Sequence, residues 1–206
     1  MRAIVIAGGD IGEPNFYKRY FDHCDLVVCA DSGYLNCKAI GITPHLVIGD
    51  FDSCDADCIP PEIPVTRLPV EKDETDLHTC INYAIRQGAT EVLLFGARGS
   101  RLDHSLAAIS LVYMGLSKGV VLRLIDERNE LLMFTDSVKI PKRAGYKLSL
   151  LPLVPVAGIY TKGLYYGLNG ASMDWGNPYG VSNEFTADMA EISIESGVMM
   201  VILSRD

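Results

Sequence analysis

Four short polar runs hold most of the side chains that can do chemistry. They are Asp31-Ser32-Gly33, Gly49-Asp50-Phe51-Asp52-Ser53, Glu71-Lys72-Asp73-Glu74-Thr75-Asp76 and Gly96-Ala97-Arg98-Gly99-Ser100-Arg101-Leu102-Asp103-His104. Asp50 and Asp52 are two apart, so an extended backbone turns both carboxylates to one side and Phe51 to the other. Neighbouring carboxylates repel unless a cation lies between them. Hard oxygen ligands favour Mg²⁺, which takes one or two carboxylates and fills its shell with water and phosphate. Asp31 can add a third carboxylate. In the third run four acids surround Lys72. Acids suit a helix start, where a cation is disfavoured, so Lys72 reads as a phosphate contact. The fourth run is a glycine-bearing turn into a helix, which makes an anion cradle of backbone N–H groups. Arg98 and Arg101 can clamp phosphates there. Asp103 either caps the helix or holds a substrate. The run lacks the G-x-x-x-x-G-K-[ST] spacing of a P-loop. As a set, the four runs suit a divalent cation holding a polyphosphate.

Each run follows an apolar or extended segment, and at least three precede a helical pattern. Loops at the carboxyl ends of strands in an open α/β sheet share one ligand-binding crevice, so these distant residues should meet in space. Ala3–Ala7, Leu26–Ala30, Leu46–Ile48, Val92–Phe95 and Val120–Ile125 are short runs of the kind buried on both faces of a parallel sheet. Leu77, Cys80, Ile81, Ala84 and Ile85 repeat with helical spacing; Thr75 or Asp76 can start that helix and Gly88 can cap it. Leu106, Ile109, Ser110 and Tyr113 suggest a second helix face ending near Gly115. After about Asn129 the helical periodicity stops. Leu131–Phe134, Lys147–Leu151, Gly158–Lys162, Met189–Ile194 and Val198–Leu203 then follow as short alternating runs, as in an antiparallel sandwich or barrel. Two architectures imply two modules joined near residues 126–137. In the second, Trp175 is either a core plug or a ligand platform, and Ser182-Asn183-Glu184 reads as a turn.

The 206 residues carry a net charge of -8, with 49% hydrophobic and 21% charged residues. The basic residues form no stripe, which argues against nucleic acid as a partner. No apolar run approaches the roughly 18 residues of a membrane span. All six cysteines lie before residue 81, with no C-x-x-C or zinc spacing. Free thiols and the lack of an export signal lead us to expect a cytoplasmic protein.

The runs Ala30-Asp31-Ser32-Gly33, Ile48-Gly49-Asp50-Phe51-Asp52-Ser53, Glu71–Leu77, Gly96-x-x-Gly99-x-Arg101-Leu102-Asp103-His104 and Gly180-Val181-Ser182-Asn183-Glu184 together resemble the thiamine pyrophosphokinase family, in order and over nearly the whole chain. The ending Ser204-Arg205-Asp206 resembles its bacterial branch. The resemblance implies a Rossmann-like α/β nucleotide-binding domain with a mainly parallel sheet over residues 1–128. A smaller antiparallel β-sandwich that binds thiamine would follow over residues 129–206. It implies transfer of a diphosphoryl group from ATP to thiamine, and a homodimer with active sites at the subunit interface. By resemblance, Asp31, Asp50, Asp52, Asp73 and Asp76 hold Mg²⁺. Asp31, Ser32, Gly33, Lys72, Thr75, Gly96, Arg98, Gly99, Ser100 and Arg101 meet the nucleotide. Asp103, Trp175, Ser182 and Asn183 lie near thiamine. Lys72, Asp73, Asp76 and Arg101 are the catalytic set, with Asp73 or Asp76 as proton acceptor. Family members usually carry D-G-G-A-N at the first motif, where this chain has Asp31-Ser32-Gly33-Tyr34-Leu35. They usually carry small residues where Arg98 and Ser100 stand. A diphosphokinase for another alcohol, such as a pterin carbinol, or a non-catalytic nucleotide sensor would use the same N-terminal loops.

Overall fold

A computed structural model describes residues 1–52 and 56–206. Ser53 of the second polar run and Cys54 lie outside the described residues. The fold is mixed α/β and divides into two compact units, Met1–Glu127 and Arg128–Asp206.

The first unit alternates strand and helix. Its elements are β1 (Arg2–Ile6), α1 (Pro14–Lys18), β2 (Leu26–Ala30), α2 (Gly33–Ile40), β3 (Leu46–Gly49), β4 (Val65–Arg67), α3 (Asp76–Arg86), β5 (Glu91–Phe95), α4 (Leu102–Ser117) and β6 (Val121–Ile125). The strands lie in the order β4-β3-β2-β1-β5-β6, and every pairing is parallel. The chain therefore runs outward from β1 on one side, then returns to place β5 on the other. This reversal puts the loops after β1, β2 and β5 around one crevice. Strands such as Leu26–Ala30 are apolar throughout because helices cover both faces.

Local chemistry sets the helix ends. The Thr75 hydroxyl accepts the His78 N–H at 3.2 Å, so α3 begins at Asp76. Gly88 follows in the left-handed region at φ 95° and closes it. Gly41, at φ 83°, ends α2 in the same way.

Two sequence expectations need correction. The spacing of Leu106, Ile109, Ser110 and Tyr113 reads as a buried stripe, yet α4 buries Ala108, Leu111, Val112 and Gly115. Leu106 is 55% and Tyr113 43% exposed. The cause is Gly115: a Cβ there would lie 2.3 Å from Leu122 Cδ1, so only the small-residue face fits onto the sheet. Lys147–Leu151 and Gly158–Lys162 are likewise one strand rather than two.

That strand belongs to the second unit, which contains β7 (Asn129–Phe134), β8 (Ser137–Pro141), β9 (Lys147–Lys162), β10 (Asn169–Met173), β11 (Met189–Ser193) and β12 (Ser196–Ser204). Their order is β7-β12-β9-β11-β8, with β10 also on β9, and all pairings are antiparallel. The first part of β9 pairs with β12 and the end with β11, with register shifts between. Gly158, at φ 64°, lies near that change of partner. The chain bends there without leaving the sheet, so the pattern looks broken while the strand continues.

Each unit has its own core. In the first, Phe95 is fully buried, and its ring centroid lies 4.9 Å from that of Tyr17, 5.4 Å from that of Tyr20 and 6.0 Å from that of Phe21. Phe95→Ala is expected to cost about 3–5 kcal/mol of stability, as for other buried aromatics. Urea unfolding followed by circular dichroism measures this. A loss below about 1 kcal/mol would show that the aromatic cluster does not hold α1 to the sheet.

Candidate active site

Asp31 follows β2 and Asp50 follows β3. These neighbouring parallel strands stop at the same edge, with Ala30 beside Ile48. Gly49 lets them approach: a Cβ there would lie 2.9 Å from Asp31 Cα. Asp31, Asp50 and Asp52 each place a carboxylate oxygen within 4.8 Å of the others. The convergence does not come from extended alternation, as the sequence suggests. Phe51 sits at φ 62°, and the Asp52 N–H donates to Asp50 Oδ1 at 3.3 Å. A tight turn folds Asp52 back while the Phe51 ring packs on the core. Asp31 is also left-handed, at φ 46°. Such positions cost about 1 kcal/mol or more each. Asp31 is 7% exposed, and its Oδ1 is buried with no hydrogen-bond partner among the described residues. Clustered hard oxygens with an unsatisfied buried atom fit a divalent cation.

Lys72 stands between this cluster and α3. Its ammonium lies 2.5 Å from Asp50 Oδ2 and 3.0 Å from Asp76 Oδ1. Hydrogen bonding to Lys72 holds the Asp50 carboxyl below its ordinary value. Burial raises Asp76; Lys72 opposes the rise, while Asp50 and Asp31 add to it.

A cavity of about 460 Å³ adjoins the cluster, shares Asp31 with it and reaches Asp76 on α3. Its walls include Gly8, Gly9, Ser32, Thr75, Arg98 and Arg101; Gly96, Gly99 and Ser100 also line it. Glycine is required where the loops meet. A Cβ on Gly9 would lie 2.4 Å from the Gly96 carbonyl oxygen. One on Gly96, which sits at φ 59°, would lie 2.4 Å from the Ala7 carbonyl oxygen. The Asn36 amide fastens the same loop, donating to the carbonyls of Ala7 and Gly9, each at 2.7 Å. Among the described residues, Gly33, Lys72, Asp73 and Asp103 do not line the cavity. Gly33 instead allows α2 to start against β1, with a would-be Cβ 2.0 Å from the Ile6 carbonyl oxygen. Asp73 is exposed and outside the carboxylate cluster.

The two arginines of the glycine turn differ. Arg98 Nε donates to Asp126 Oδ2 at 2.6 Å. Arg101 forms a two-pronged pair with Asp103, at 3.1 and 2.6 Å. That guanidinium draws the Asp103 carboxyl down to about 2, helped by the His104 N–H.

In the second unit, Trp175 is 64% exposed in the loop after β10, as suits a platform rather than a core plug. Ser182 is left-handed at φ 61°. Asn183 is buried and committed to the backbone. Its Oδ1 accepts the N–H groups of Tyr166 and Glu184, and its Nδ2 donates to the Tyr166 carbonyl. It therefore holds the turn that presents Ser182.

The first polar loop, Ala7–Asp10, went unassigned in the sequence, as did Asn36. The available signal was Gly8-Gly9 immediately after the first apolar run, the same strand-then-loop position as the other motifs.

Residues 17–124 match the family described as thiamin pyrophosphokinase, catalytic domain, and residues 136–199 match thiamin pyrophosphokinase, vitamin B1 binding domain. Thiamine pyrophosphokinase of Bacillus subtilis is 28% identical over 98% of both chains. Thiamine pyrophosphokinase 1 of rice is 30% identical over 94% of this chain and 84% of its own. The crystal structure of the Bacillus subtilis enzyme superposes with a TM-score of 0.91 at 28% identity, covering 100% of both chains. That of a thiamin pyrophosphokinase family protein from Enterococcus faecalis gives 0.84 at 28% identity, again covering 100% of both. Two family domains in register with the two compact units, and a shared fold along the whole chain, place this protein in the thiamin pyrophosphokinase family.

Proposed function

We propose that the protein transfers the diphosphoryl group of ATP to the hydroxyethyl hydroxyl of thiamine, giving thiamine diphosphate and AMP. The observation that carries this reading is the convergence of Asp31, Asp50 and Asp52 beside a glycine-walled cavity, in a chain of this family. In this reading the first unit is a Rossmann-like nucleotide module over residues 1–128. The second is a β-sandwich over residues 129–206 that binds thiamine.

Asp31, Asp50 and Asp52 would hold Mg²⁺; Asp76, joined to Asp50 through Lys72, and Asp73, on the exposed loop before α3, would add to the set. Mg²⁺ bound there neutralises charge on the phosphate oxygens. The N–H groups of the Gly96–Arg101 turn, at the start of α4, receive phosphate. Ser32 and Thr75 shape the nucleotide wall, Gly33 seats the start of α2 behind it, and Lys72, Arg98 and Arg101 supply positive charge. The thiamine hydroxyl oxygen attacks the β-phosphorus. A P–O bond forms there as the bond to the α-phosphate oxygen breaks, and AMP leaves with that oxygen. The hydroxyl proton passes to a carboxylate. Asp76 suits this role because burial already raises its affinity for a proton; Asp73 is the alternative. Such transfers depend mainly on alignment and charge neutralisation.

Trp175 offers a flat face to the thiamine rings, with Ser182 on its turn, Asn183 behind it and Asp103 as a counter-charge. The site would be completed in a homodimer, one subunit's nucleotide module facing the partner's thiamine module. A cytoplasmic location belongs to the same reading. No helix of the described residues is long and apolar enough to cross a membrane.

Purified protein given ATP, Mg²⁺ and thiamine is expected to form AMP and thiamine diphosphate one-to-one by chromatography, and EDTA should abolish both. ADP as product would overturn the reaction. Asp50→Asn should lower turnover about 100-fold or more at saturating substrates, a few kcal/mol of lost charge stabilisation. Near-native turnover would remove Asp50 from the metal site. Arg101 spends one edge of its guanidinium on Asp103, so that contact is a second target. Arg101→Met should return the Asp103 carboxyl from about 2 towards its ordinary value, followed by carbon NMR during a pH titration. A value still near 2 would mean that the helix start, not Arg101, sets it.

A further inference from the structure

We infer that Asp126 is a positioning residue that aims Arg98 at the phosphates of the nucleotide. The inference rests on the nucleotide reading of the cavity given above. Asp126 follows the last residue of β6 and is 7% exposed. Its Oδ2 takes the Arg98 Nε–H at 2.6 Å, while the Arg98 side chain stays 52% exposed and Arg98 lines the cavity. Only the Nε edge of the guanidinium is used, so the Nη edge is left for a ligand. A planar fork fixed along one edge presents the other in a defined direction.

The Arg98 backbone is fixed as well. Its carbonyl oxygen would lie 2.5 Å from a Cβ on Gly9, so the turn sits hard against the first loop. The neighbouring Glu127 braces that loop from the same strand end: its Oε1 accepts the N–H groups of Gly12 and Glu13 at 2.7 and 2.9 Å. Two adjacent carboxylates beyond β6 thus hold two loops that build the cavity. Arg101 is the contrasting case, since its pair with Asp103 has side chains 66% and 63% exposed. Exposed pairs are screened and hold geometry weakly. A buried carboxylate depends much more on its partner. Arg98 is therefore the turn's pre-aimed cation.

ATP and Mg²⁺ titrated into the protein without thiamine, by calorimetry, test this apart from turnover. Arg98→Met should weaken ATP binding about tenfold, the loss of one charge-assisted contact. Asp126→Asn should weaken it by a similar factor. The double variant should be no weaker than the worse single one, because both changes remove one interaction. In turnover, Asp126→Asn should raise the KM for ATP while the KM for thiamine and kcat hold. Losses that multiply in the double variant would overturn the inference, as would native ATP affinity in Asp126→Asn. A fall in kcat with an unchanged KM for ATP would also overturn it. If Asp126→Asn does not fold, Asp126→Glu replaces it: still charged but longer, it should misplace the guanidinium and weaken ATP, and unchanged affinity would overturn the inference. ATP binding without thiamine diphosphate formation would remove the proposed reaction and leave this inference standing. No ATP binding by the native protein would remove both.

Discussion

Like charges held close together are the constraint around which the first unit is built. Asp31, Asp50 and Asp52 bring carboxylate oxygens within 4.8 Å of one another. At that separation unit charges of one sign repel one another. No loop would adopt this arrangement alone. The parallel pairing of β2 with β3 imposes it, because strands in register end at the same edge. Gly49 removes the Cβ that would separate them. Lys72 offsets part of the repulsion from the side of α3. A divalent cation seated there would relieve the repulsion that remains, which would make metal affinity and folded geometry two aspects of one electrostatic balance.

The strain in the backbone follows the same distribution. The described non-glycine residues at positive φ are Asp31, Phe51 and Ser182. All three lie in motifs whose side chains look chemical, and none lies in an ordinary connecting turn. Asp tolerates the left-handed region through its short polar side chain; Phe does not do so readily. Phe51 keeps that conformation because its ring is packed on the core and lies under Arg67, 5.2 Å from ring centroid to guanidinium. Packing there supports a backbone shape that serves the carboxylates on either side.

Much of this was legible in the sequence. Apolar runs followed by polar loops gave the parallel strands, and the Leu77–Ile85 periodicity gave α3 with its Thr75 cap and Gly88 stop. The convergence of Asp31 with Asp50 and Asp52 followed from their strand-end positions, although its cause was misread: a left-handed turn at Phe51, not alternation, folds Asp52 back. The missing pieces depend on long-range contact. Which face of α4 is buried is decided by Leu122 fitting over Gly115, a relation that periodicity does not carry. β9 looks like two strands because its partners change along its length. Asn36 is a polar residue in a helix that also carries Lys38, and only the fold shows it holding the Ala7 and Gly9 carbonyls.

The loop after β1 has a consequence for how a ligand would enter the cavity. It is wedged against Gly96 and Arg98 through Gly9, tied to α2 by Asn36 and braced at Gly12 and Glu13 by Glu127. These contacts are internal to the protein, so the wall is set before a ligand touches it. Along this loop little chain is left to order on entry, so its share of the conformational entropy lost on association stays small. The heat-capacity change of association then reflects the surface covered by the ligand, without the added share of a folding segment.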